Sequence, residues 1–102
     1  MKKIIFTKNA EDDINQIFEF NSESNKYFAK RIHKQIFDEI RILANFPESA
    51  PIEPLLEHKT ETFRSLVVAE GRYKVIYVVA EKIVIHVVFD CRRNPSNIKE
   101  DI

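Results

Sequence analysis

The chain is poor in the residues that announce a special environment. It has 102 residues with one cysteine, one glycine, no tryptophan and four prolines. A lone cysteine, Cys91, excludes an internal disulfide and suits a reducing compartment, so the expected location is the cytoplasm. Apolar runs are short: the greasiest stretch, Ile83 to Phe89, is interrupted by His86 and cannot cross a bilayer. The opening Met1-Lys2-Lys3-Ile4-Ile5-Phe6 imitates the start of a signal peptide. Its apolar stretch stops at Thr7-Lys8 without a small-residue cleavage site, so secretion is not expected.

Excess charge of one sign is also missing. Sixteen Lys and Arg balance sixteen Asp and Glu, which argues against coating nucleic acid by bulk electrostatics. The balance is not even along the chain, however. Residues 1 to 62 hold nine basic and eleven acidic side chains, residues 63 to 98 six and three. No Cys or Asp is spaced with His33 or His58 as co-ligands, so a metal site is not expected, and no cofactor is expected either.

What is present is a change of period. Ile4-Ile5-Phe6 reads as a short strand. Asn9 is the expected cap of a first helix, followed by Glu11, Asp12 and Asp13 at the positive end of its dipole and by Ile14, Ile17 and Phe18 on one face. The polar run Asn21 to Asn25 should break this helix and start the next. Phe28, Ile32, Ile36, Ile40 and Leu43 then form a stripe, widened by Ala29, Phe37 and Ala44, while Lys30, Lys34, Asp38 and Arg41 face water. Asn45-Phe46-Pro47 ends it. Residues 47 to 62 hold three of the four prolines and read as a loop with one helical turn near Leu55-Leu56.

From Phe63 the period is two: strands Phe63 to Val68, Tyr73 to Val79 and Ile83 to Asp90, with Glu70-Gly71 and Ala80-Glu81-Lys82 as turns. Strict alternation turns Ile83, Ile85, Val87 and Phe89 toward the helices and Val84, His86, Val88 and Asp90 away. The expected fold is α+β in the order β-α-α-β-β-β, one domain over residues 1–102, with a helical hairpin on one face of a twisted, mainly antiparallel sheet.

Five cations, Arg64, Arg72, Lys74, Arg92 and Arg93, lie on or beside these strands, and a sheet face on which they converge would suit a polyanion or an acidic protein segment. Each has a plainer reading as a solvated strand end or a cross-strand partner of Glu70 or Glu81. Tyr77 is expected in the core, and His86 is read as structural or partner-facing. Flanking arginines would favour a Cys91 thiolate, yet without a nearby base or second cysteine an inert thiol is expected.

The helical hairpin ending in L-x-x-F-P and the segments Phe63-Arg64-Ser65-Leu66, Gly71-Arg72-Tyr73-Lys74-Val75-Ile76-Tyr77 and Val88-Phe89-Asp90-Cys91-Arg92-Arg93-Asn94-Pro95 resemble the RelE/ParE family of bacterial toxins. The resemblance covers nearly the whole chain and implies the toxin half of a type II toxin–antitoxin module, neutralised by a cognate antitoxin. RelE-like members cut messenger RNA on the ribosome; ParE-like members inhibit DNA gyrase. By position, Arg64, Lys74 and Arg93 match three basic nuclease sites. A further lysine site falls near Leu66, and the C-terminal tyrosine site falls at Ile98-Lys99, so that pattern is incomplete. The ParE-like side is therefore favoured, with Arg64, Arg72, Lys74, His86, Arg92 and Arg93 as candidate contacts to target or antitoxin. The alternatives are a RelE-type endoribonuclease and a non-toxic binding module. DNA is expected to be met only through the antitoxin.

Overall fold

The structure is a computed structural model and describes residues 1–98 and Ile102. Strand β1 (Ile4–Phe6) leads into helix α1 (Lys8–Ser24) and helix α2 (Lys26–Arg41), which continues as a 3-10 turn at Ile42–Ala44. A loop with a second 3-10 turn at Pro54–Leu56 precedes β2 (Phe63–Val68), β3 (Tyr73–Val79) and β4 (Ile83–Asp90). The sheet order is β1-β4-β3-β2, with β1 parallel to β4 and the other pairs antiparallel. This is the α+β order read from the sequence, and the three long strands occupy the expected residues.

Both helix starts differ from that reading. Thr7, not Asn9, caps α1: its hydroxyl accepts from the Ala10 N–H at 3.1 Å. The polar run does not break the helix at Asn21, because α1 continues to Ser24 and only Asn25 separates the helices. Asn25 serves both ends: its N–H donates to the Asn21 carbonyl, and its side chain accepts from the Phe28 N–H. One residue in extended conformation, φ −165°, thus replaces the expected five-residue connection.

The helices bury Ala10 and Ile14 of α1 and Ile32, Ile36 and Ile40 of α2 against Val68, Tyr73, Val75, Tyr77, Ile83, Ile85 and Val88 of the sheet. A second apolar layer lies on the opposite face, where Leu56 and Ile98 pack with Phe63, Ile76, Val78, Val87 and Phe89. Strict alternation in β4 fails between these two layers. Ile76 and Tyr77 of β3 pair with Val87 and Ile85, so His86 is an extra residue opposite none. The bulge inverts the side chains beyond it. Val87 and Phe89, expected on the helices, join the second face, and Val88 and Asp90 turn to the helix side. The bulge is held from α1: the His86 carbonyl accepts from the Thr7 hydroxyl at 3.1 Å, and the Val88 N–H donates to Asp13 Oδ2 at 3.0 Å. Asp13 therefore does more than complement the helix dipole.

Among the described residues no helix is long and apolar enough to cross a membrane. Nor do any His, Cys, Asp and Glu residues among them form a cluster of three or more able to hold a metal ion.

Candidate functional site

The six candidate residues do not converge on one face. Arg64 pairs with Tyr77 across β2 and β3, which places it on the helix side of the sheet. There its guanidinium donates to the Ala50 carbonyl at 2.8 Å, and its side chain is only 20% exposed. The neighbouring Tyr77 hydroxyl donates to the Pro47 carbonyl at 2.8 Å, and burial pushes its pKa up. Together they tie the Pro47–Ala50 loop to the sheet.

Lys74 pairs with Val67 and Phe89, on the opposite face. Its ammonium sits 2.9 Å from Oε1 of Glu53, a side chain 1% exposed whose Oε2 accepts from the Leu55 N–H. A buried carboxylate needs such a counter-charge and full hydrogen bonding, so Lys74 is committed to holding the Pro54–Leu56 turn. Arg93 lies over the Phe89 ring at 4.7 Å on this same side. Lys74 and Arg93 thus flank Phe89, while Arg64 is on the other side of the sheet. His86 packs edge-on to Phe63 with ring centroids 5.4 Å apart; burial lowers its pKa, opposed by the Glu61 carboxylate. Burial likewise pushes the Cys91 thiol up, with Lys74 rather than the flanking arginines as the opposing cation. A reactive thiolate is not what this environment favours.

The remaining two candidates, Arg72 and Arg92, meet at one end of the molecule, where the β2–β3 turn and the residues after β4 face the α1–α2 elbow. Two adjoining cavities of about 500 and 210 Å³ share Tyr73 and Arg92 there, and Arg93 also lines the smaller one. The Arg72 guanidinium lies 5.3 Å from the centre of the Phe28 ring, and that of Arg92 lies 5.0 Å from the centre of the Phe20 ring. Such cation–aromatic contacts hold a guanidinium in place while leaving its donors available. Arg92 also makes a bidentate contact with Asp90, whose carboxyl is held below the usual carboxylate range mainly by that bond. At the floor, Asn21 Nδ2 donates to the buried Tyr73 hydroxyl at 3.1 Å.

The turn on the rim is strained. Ala69 and Glu70 have φ of 54° and 57°, values costly for L-residues, and Gly71 follows at 89°. Bonds from two directions stabilise it: Glu39 of α2 accepts from the Ala69 N–H at 2.8 Å, and Arg72 donates to the Ala69 carbonyl from backbone and side chain. Glu70-Gly71 was legible as the turn, but the positive φ of Ala69 and Glu70 was not.

Sequence reasoning did not single out Phe20, Asn21, Phe28 or Glu53 as site or support residues. Phe20 had a visible signal: it lies off the apolar stripe of α1, and it is 53% exposed. Glu53 had none, because its partner is 21 residues away. Of the Ile98-Lys99 position that matches the nuclease tyrosine, Ile98 is buried in the second layer and Lys99 lies outside the described residues.

The family model for the ParE toxin of type II toxin–antitoxin systems, parDE, matches residues 4–95. The chain belongs to the ParE toxin family. The match spans every described strand and both α-helices. A solved chain from the chromosomal ParDE toxin–antitoxin system of P. aeruginosa shares the fold, with a TM-score of 0.74 at 15% identity over 88% of this chain and 96% of that one. No curated protein sequence matches. Membership of a toxin–antitoxin family implies an antitoxin partner for this ParE-type chain.

Proposed function

We propose that this ParE-type chain is a cytoplasmic toxin that acts by binding, with DNA gyrase as its target, and that a cognate antitoxin neutralises it. The observation that carries this reading is the separation of the basic residues matching nuclease positions. Cutting RNA through its own 2′-hydroxyl requires a base, an acid and a cation around a single phosphate. Here Arg64 and Lys74 lie on opposite faces of the sheet, and both are engaged by the protein itself. His86, whose imidazole is a residue type suited to proton transfer, is packed against Phe63. Such an arrangement leaves surfaces for protein partners rather than a reaction centre.

The test is induction in a host without the antitoxin, followed by purified-component assays. Growth arrest with DNA breakage, and accumulation of gyrase-cleaved DNA on adding the toxin to gyrase, are the expected results. Ribosome-dependent messenger cleavage without DNA breakage would refute the reading, and harmless overexpression would favour a non-toxic binding module. Co-purification with the product of the adjacent reading frame tests the antitoxin half.

A further inference from the structure

We infer that the groove between the α1–α2 elbow and the β2–β3 turn receives a carboxylate of an acidic, aliphatic segment of the antitoxin, held between Arg72 and Arg92. This rests on the antitoxin reading above and adds the place and the chemistry of the contact. Each guanidinium has five N–H donors in a rigid fork suited to carboxylates. Asp90 engages two of the three guanidinium nitrogens of Arg92, Nε and Nη2, while Arg72 uses Nη1 alone, for the Ala69 carbonyl at 3.2 Å and a loose 3.6 Å contact with the exposed Glu70. Donors therefore remain on both side chains that line the groove. Stacking on Phe28 and Phe20 sets both guanidinium groups in advance, so less side-chain freedom is lost on binding.

Between the two cations the Tyr73 hydroxyl accepts from Asn21, which leaves its own proton to donate. The rings of Phe20 and Phe28 supply apolar walls for aliphatic neighbours of the carboxylate. Charge complementarity also selects against a polyphosphate. Asp90 and Asp13 stand on the same groove, and Glu70 on its rim, so a continuous phosphate backbone would meet acids at short intervals. A peptide can space its carboxylates to match the arginines alone.

The experiment measures binding of the adjacent reading frame's product to wild-type toxin, Arg72→Gln, Arg92→Gln and the distant control Lys34→Gln, with thermal melts confirming that each variant folds. About tenfold weaker binding for each groove variant, unchanged binding for the control and a shallower salt dependence support the inference. Groove variants within about twofold of wild type overturn it while leaving the antitoxin reading intact. Tight binding of ten-residue oligothymidylate that is lost in the same variants overturns it in favour of nucleic acid. No complex even with wild-type toxin overturns both readings.

Discussion

Replacing Lys74 by methionine removes the counter-ion of a carboxylate that water hardly reaches. Glu53 is 1% exposed and Lys74 26%, with 2.9 Å between the charged atoms. Breaking such a pair by deleting one partner costs about 3–5 kcal/mol, because the other charge stays buried. Partial exposure of Lys74 points to the lower end, about 3 kcal/mol, against a total stability of about 5–15 kcal/mol for a domain of this size. The melting temperature should fall by about 12 °C or more. Removing both charges, Glu53→Leu with Lys74→Met, should recover most of the loss, since an apolar pair of similar volume replaces a desolvated ion pair. Urea titration of the four members of the cycle gives the coupling directly. Growth arrest by the same four, scored where the wild type causes it, separates the possible roles of Lys74. If it is structural, the double variant regains activity with stability; if it touches a target, the double variant is stable and inert. A Lys74→Met protein melting within about 2 °C of wild type would refute the reasoning about Glu53.

Two further outcomes are expected. His86 has a pKa lowered by burial, so the folded protein holds its proton less well than the unfolded chain. Its contribution to stability is intact above the unfolded value near 6.5 and is lost as pH falls from there through the folded value. Melting temperature should therefore decline from pH 7.5 to 5.5, and His86→Gln should flatten that decline; an equal slope in the variant would sink the assignment. The Asp90 contribution is lost in a separate window, beginning near pH 3.8 and extending lower. Thr7→Ala removes both the α1 cap and a bond to the bulge carbonyl, and should cost about 1–2 kcal/mol in a urea titration, whereas Thr7→Ser should stay within about 0.5 kcal/mol of wild type.

The strands were readable because glycine, charge and period changes mark their ends, and Gly71 sits where positive φ is needed. The inversion at His86 was not, because Val87 and Val88 are equally suited to either face and a bulge leaves no mark in composition. The α1 cap falls on Thr7 in place of the expected Asn9, which composition does not mark, because both residue types cap well and both side chains reach the His86 carbonyl. Of the candidate site, the cations could be named from the sequence but not sorted. What sorted them was their tertiary partners: Glu53 for Lys74, the Ala50 carbonyl for Arg64, and Phe28 and Phe20 for Arg72 and Arg92.

Asn25 sets a limit on how this chain can change in length. Ordinary surface connections absorb insertions readily. Here a single residue both stops one helix and starts the next, with no slack on either side. One added residue carried into α2 would turn it by about 100° relative to α1 and sweep Ile32, Ile36 and Ile40 off the sheet. The same turn would carry Phe28 away from Arg72, and the groove would lose a wall together with the core. Relatives that keep this packing should therefore vary in length in the 47–62 loop and leave the elbow at one residue.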